Sequence, residues 1–379
     1  MCDASRNEQR FMAHESSPPA ECTAAFERAM HSVRGAAQQS QVLLADGVRV
    51  MREALARNAD DSRVWIYLGE LELQRGKATA ALSAFERAIE LDPRDALAHS
   101  GLAYGLVELR REGDAEEALG RALERFESAL LHGQLGSLLI GQGRYDEAAE
   151  QLELGLVLEP DNEELLLLHA RHLSESLEQK QATLERALAS DPDFVDALAE
   201  LGALFLAVDE PAKAERCLAR ALELEPECVE ALHESCALHL ADEPREALRL
   251  AGRSLEVDPE DPRGWSLMGQ ALWHLGRKDK AHRALERACA IRPVRMEGAR
   301  AYWLRACLSE EEGLLQHSIW RLEEAAPFAH LWPPVAADLG RLYAEVGRTK
   351  DAQRWLHIAL EHDTDDRASR EILRRLELS

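Results

Sequence analysis

The stretch DSRVWIYLGELELQRGKATAALSAFERAIELDPRD, which begins at Asp61, carries a pattern that returns along the chain at close to multiples of 34 residues. Trp65, Leu68 and Gly69 are spaced to share one face of a helix. Gly76 breaks that helix, and Ala81, Phe85 and Ala88 mark a second one. Pro93 ends the unit, because proline lacks an amide hydrogen and clashes with the preceding turn. Two short helices cannot bury their apolar faces alone, whereas a stack of such pairs buries a continuous core. The period therefore restricts the chain to stacked helix pairs before anything else is considered.

Five units keep the pattern cleanly, at 62–95, 129–162, 195–228, 262–295 and 333–366. The second carries Leu135-Gly136, Gly143, Ala148, Leu152 and Pro160, and the third Leu201-Gly202, Phe205, Ala214, Leu218 and Pro226. The fourth has Trp265, Met268-Gly269, Gly276, Ala281, Leu285 and Pro293. The fifth has Leu339-Gly340, Tyr343, Gly347, Ala352 and Leu356, with Thr364 in the proline slot. Four degenerate units lie between them, at 96–128, 163–194, 229–261 and 296–332, and a weaker first unit covers 21–61. Residues 1–20, with Ser16-Ser17-Pro18-Pro19, read as disordered or loosely ordered, and 367–379 as a capping helix.

This spacing resembles the tetratricopeptide signature, W-x2-L-G-x2-Y…A-x3-F…P, with Glu72 in the usual tyrosine slot. The resemblance covers nearly the whole chain after residue 20. It implies an all-α, right-handed superhelical solenoid of stacked antiparallel helix pairs, about nine to ten repeats with a C-terminal capping helix. Composition agrees: Ala, Leu, Glu and Arg dominate, aromatics are only 5%, and runs of strand-forming residues are missing.

A formal charge of −24 and a pI near 5.0 disfavour nucleic acid as a partner, since phosphate backbones are repelled. The seven cysteines are irregularly spaced without a CxxC, which argues against a disulfide framework or a zinc site. No apolar run approaches the length of a membrane span, and MCDASRNEQR lacks a hydrophobic signal core. A cytoplasmic, bacterial protein is the expectation; Cys2 leaves a periplasmic or lipid-anchored alternative if a signal sequence has been removed.

The resemblance further implies that the first helix of each pair lines a concave groove that takes a partner's peptide or helical segment. Its side chains are those one, four, eight and eleven residues beyond each unit start. The groove candidates so placed are Arg63, Glu70 and Tyr104 in the N-terminal half, and Arg263, Gln270, Trp273, Arg300 and Arg341 in the C-terminal half. Trp273 lies off the consensus core slots and reads as an aromatic anchor. Arg263, Arg300 and Arg341 arrive at similar phases and would grip a carboxylate or an acidic helix; pairing with nearby Glu and Asp is the plainer alternative. Relatives that clamp the C-terminal carboxylate of heat-shock chaperones use Lys and Asn at slots that hold Ile66, Glu70, Ser100 and Tyr104 here, so that role is not supported.

Nothing in the sequence points to catalysis, a metal or a cofactor. His169 and His172 share a helical face without a completing ligand set, and Gly141-Gln142-Gly143 is an inter-helix turn without the strand and Lys-Ser/Thr of a phosphate loop. The reading is a non-enzymatic scaffold or adaptor that binds a protein partner, its oligomeric state left open. The alternative is a structural or assembly subunit of a secretion, pilus or envelope-polysaccharide machine, or an accessory subunit of a separate enzyme.

Overall fold

The computed structural model describes residues 18–32, 37–174, 176–291, 296–330 and 332–377; the expectations for residues 1–17, Cys2 among them, lie outside these. Among the described residues there are twenty-one α-helices, one short 3₁₀ turn and no strand. They divide into two compact units, with the boundary between Ala197 and Leu198. In the first unit α1 (Ala20–Ser32) pairs with α2 (Ala37–Arg57), α3 (Ser62–Gln74) with α4 (Ala78–Leu91), and α5 (Ala96–Glu108) with α6 (Glu112–Leu123). Then α7 (Ala129–Gly141) pairs with α8 (Tyr145–Leu158), and α9 (Glu163–His172) with α10 (Leu177–Ser190).

The boundary falls inside α11 (Val195–Ala207), which α12 (Pro211–Leu224) follows. The second unit continues with α13 (Val229–His239) and α14 (Pro244–Val257), then α15 (Pro262–His274) and α16 (Lys278–Ile291). After these come α17 (Met296–Glu311) and α18 (Leu315–Ala325), α19 (Pro334–Glu345) and α20 (Thr349–His362), and last α21 (Arg367–Glu377). Among the described residues of each unit, substantial packing joins helices one or two places apart in the chain, as a solenoid requires.

Local chemistry sets the pairs. Asp61 and Asp95 cap α3 and α5, accepting from the amides of Val64 at 3.3 Å and Leu97 at 3.0 Å. Asn162 caps α9 through the Leu165 amide at 3.1 Å, and Asp261 caps α15 through Gly264 at 2.6 Å. Most first helices, though not α9 or α13, then end on a left-handed residue. At Gly76 (φ 69°) the Lys77 amide bonds the Glu72 carbonyl and the Gly76 amide bonds the Leu73 carbonyl, both at 2.8 Å. Arg110 (φ 60°), in a degenerate unit, and Asp209 (φ 59°), in a clean one, hold that place, so the same turn forms there without glycine.

Between pairs, one large side chain locks two first helices together. Phe85 of α4 is fully buried, and a Cβ at Gly69 or at Gly101 would lie only 2.6 or 2.3 Å from its ring. Both glycines are therefore needed for α3 and α5 to close on the same ring. Leu152 over Gly136, Leu285 over Gly269 and Leu356 over Gly340 repeat the contact with a smaller knob.

Two consensus slots differ from a simple core. Trp65 is only half-buried, and its indole N–H donates to the Ala59 carbonyl at 2.8 Å, while Trp265 does the same to Pro259 at 2.9 Å. These rings pin the junction loop rather than fill the centre. The fully buried aromatic of α3 is Tyr67, stacked on Phe26 with centroids 4.3 Å apart. Glu72, in the tyrosine slot, is 1% exposed and held by Arg52 at 2.8 Å and Arg75 at 3.0 Å.

Candidate functional site

In the first unit the three candidates have different surroundings. Arg63 is buried at the start of α3, 3.6 Å from the Asp95 carboxylate, and does not line an open groove. Glu70 is half-buried and has no hydrogen-bond or ion-pair partner among the described residues; burial alone pushes its carboxyl up to about 7. Tyr104, at the equivalent phase of α5, is half exposed. It stands at the mouth of a hollow of about 230 Å³ between α5, α6 and α7, whose lining includes Val107, Glu112 and Ser137.

In the second unit the three arginines separate clearly. Arg341 is saturated, with Nη1 and Nη2 donating to Glu310 at 2.8 Å and further contacts to Asp338 at 2.9 Å and Glu345 at 3.1 Å. Arg263 pairs with Glu234 of α13. Arg300, on α17, is half-buried and has no carboxylate partner among the described residues. Its guanidinium instead lies 5.6 Å from the centre of the Trp332 ring. Burial, and then the neighbouring Arg263, lower its pKa, while Glu234 works weakly the other way.

Trp273 is half-buried and engaged: its indole N–H donates to Glu311 at 2.6 Å, and the Lys278 ammonium sits 5.0 Å from its ring. It packs beside Leu272, Leu304 and Leu308, which makes it a spacer between α15 and α17. Gln270 turns back onto the Ser266 carbonyl at 3.4 Å. His233 lies 2.6 Å from Asp261, which ties α13 to the start of α15.

Two residues belong with these that phase counting did not select. Trp332 precedes the Pro333-Pro334 start of α19 in a degenerate unit, where the phase is unreadable, and its indole nitrogen is buried without a hydrogen-bond partner among the described residues. Glu112 opens a second helix, outside the set of first-helix positions. The adjacent Trp303 ring, 6.0 Å from Trp332, donates to Asp338 at 2.7 Å and extends the cluster toward Arg341.

No group of three or more His, Cys, Asp or Glu among the described residues is arranged to hold a metal ion. His169 is half-buried with a lowered pKa, burial being the main cause. No helix of the described residues is long and apolar enough to cross a membrane.

Helix pairs that, among the described residues of each unit, pack chiefly on their sequence neighbours, with side chains left open along the first helices, define a helical-repeat interaction protein. Two family models, both described as tetratricopeptide repeat, match residues 23–191 and 241–295, together more than half of the chain. The chain belongs to the tetratricopeptide-repeat family, and that membership supports a protein-interaction scaffold. Among curated proteins it is 25% identical over 209 residues to the human (Homo sapiens) Protein O-mannosyl-transferase TMTC3. That match covers 55% of this chain and 21% of the relative, so the chain spans about a fifth of that protein's length.

Among solved structures it is similar to a tetratricopeptide repeat protein from Parabacteroides merdae ATCC 43184, at 16% identity and a TM-score of 0.47, over 74% of this chain and 98% of that one. It is also similar to YrrB, titled a TPR protein with an unusual peptide-binding site, at 21% identity and a TM-score of 0.33, over 50% and 98% of the two chains.

Proposed function

We propose that this chain is a non-enzymatic adaptor whose second unit holds a peptide or helical segment of a partner protein through an acidic side chain of that segment. The observation that carries the reading is Arg300. In a chain of net charge −24, carboxylates are abundant, and Arg341 and Arg263 have taken theirs. Arg300 keeps its five donors without one, half-buried against Trp332, where desolvation of an unpaired charge is unfavourable. A partner carboxylate completing that site gains a charge-assisted contact worth about 1.5–3 kcal/mol. The Trp332 ring beside it supplies the large apolar surface that binding anchors use.

Selection of a displayed peptide library on the wild-type chain and on Arg300→Glu tests this. Segments enriched in Asp or Glu are expected on the wild type and lost from the variant, with far-UV circular dichroism unchanged. Recovery of the same segments on both proteins overturns the proposal.

A further inference from the structure

Arg63, shut away from the groove of the first helices, borders a different space. A hollow of about 670 Å³ opens in the first unit between the starts of α3, α5 and α7 and the end of α8. That volume falls inside the roughly 300–1,000 Å³ of small-molecule sites. Leu97, Phe126 and Leu158, the last 40% exposed, give it an apolar side. Its polar side holds donors that the chain leaves unspent.

The first is the Arg63 guanidinium, which is 5% exposed. Its Nε stands 3.6 Å from Asp95, beyond hydrogen-bond length, and its Nη1 has no hydrogen-bond partner among the described residues. Asp95 thus balances its charge and leaves its donors open, which is unfavourable for a buried group. The second is the start of α7, which Ser128 and Ala129 bring to the hollow. Asp61, Asp95, Asn162 and Asp261 cap four other first helices, whereas Ser128 makes no side-chain cap, so the first-turn amides of α7 keep their positive end uncompensated. Arg94, exposed at the α4–α5 junction, borders the same hollow with no carboxylate partner among the described residues.

The charges decide which acceptor goes where. At α7 and Arg94 a carboxylate is favoured, since neither has a counter-charge. At Arg63, already balanced by Asp95, a neutral carbonyl oxygen suffices. The lining carboxylates limit the ligand to one negative charge: Asp95 accepts from the Leu97 amide, Asp92 from the Arg94 amide and Glu159 from the Asn162 side chain, with Glu127 exposed to water. They would repel a dianion such as phosphate far more than a single carboxylate.

We infer that this hollow binds a small monocarboxylic acid with a second, neutral acceptor oxygen and an apolar body about the size of a phenylalanine side chain. The carboxylate lies at the start of α7 within reach of Arg94, the neutral oxygen at Arg63, and the body against Phe126 and Leu158. A free N-acyl amino acid and the last residue of a peptide share that chemistry. The site shares no residue with the one at Arg300 and stands or falls apart from it.

The test titrates the full chain, isotope-labelled at its alanine amides, with N-acetyl-L-phenylalanine, its amide, and hydrocinnamate, which keeps the ring and the carboxylate without the acetyl-amide oxygen. A saturable NMR shift of the Ala129 amide is expected with the acid, a weaker response with hydrocinnamate and none with the amide. Acetyl-Ala-Ala-Phe as the free acid separates the two sources: binding tighter than the single residue marks a chain end, and weaker marks a free acid. Ser128→Asp puts a carboxylate of the chain itself at the start of α7, as Asp61 does at α3, and should abolish binding with far-UV circular dichroism unchanged. Arg94→Gln should weaken binding about fivefold to tenfold. Arg121→Gln removes the same charge from an exposed position outside the hollow and should leave binding as it is.

Equal binding of the amide or of hydrocinnamate, undiminished binding in Ser128→Asp, equal weakening by Arg121→Gln, or no saturable shift at millimolar acid would each overturn the inference.

Discussion

Replacing Glu70 by Gln should stabilise the first unit in neutral and alkaline solution and do little in acid. An ordinary glutamate carboxyl titrates at 4.5, and burial without a partner holds this one at about 7. The folded state therefore keeps a proton where the unfolded chain has already released it. The stability from that proton is fully present below about 4.5 and is lost as pH rises through about 7. At about 1.4 kcal/mol per pH unit the full difference is about 3 kcal/mol. The carboxyl is half-buried and water screens part of it, so a gain of about 1–2 kcal/mol for Glu70→Gln at about pH 8.5 is the working figure.

Repeat arrays do not unfold as one body, so the readout must be local. Trp65, on the same helix and the single tryptophan before residue 198, provides it through the fluorine signal of a fluorotryptophan-labelled chain in a urea titration. A gain of the same size at about pH 5 and about pH 8.5 would refute the reasoning, as would a Glu70 carboxyl carbon that titrates near 4.5.

Other outcomes follow from the packing and the charges. Phe85→Ala should cost about 3–5 kcal/mol in urea unfolding of the first unit, since the ring is fully buried between two first helices. Gly101→Ala, whose Cβ would meet that ring at 2.3 Å, should cost about 1–3 kcal/mol, whereas Gly113→Ala faces open space and should cost nothing measurable. Trp273→Phe should keep the packing and lose about 1 kcal/mol with the bond to Glu311, read by thermal denaturation of the second unit. Burial pushes the Cys236 and Cys307 thiols up to about 12, so peptide mapping after alkylation at about pH 8 should find both unmodified in the folded chain.

Much of the fold was legible because each slot of the repeat has one physical job. Gly69, Phe85 and Pro93 announce a close approach, a knob and a stop, and the structure uses the first two as their sizes require. The repeat's own variability hid the rest. Arg110 makes the left-handed turn without glycine, which is why the unit at 96–128 looked blurred. Trp65 has the size of a core residue, yet its indole N–H is satisfied only at the edge, by Ala59.

For the groove, phase counting told which residues share a face and nothing about who had claimed them. Phase counting puts Arg263, Arg300 and Arg341 on one groove face; the placement of Glu234 and Glu310 on other helices makes them different. Charge pairing across about thirty residues of sequence is a property of the folded stack. Trp332 and Glu112 were out of reach for the same reason, since each borders its site from outside the first-helix positions.

Repeats built to one plan invite exchange: any copy offers a stacking face to any other, in the wrong order or with a copy from a neighbouring chain. The buried Glu72 refuses such substitution at its own junction. Its carboxylate is accepted there only because Arg52, one helix upstream, reaches it alongside Arg75. Seated against a foreign repeat without that arginine, it would lose one of its two counter-charges, a penalty on misassembly that a tyrosine in the same slot would not impose.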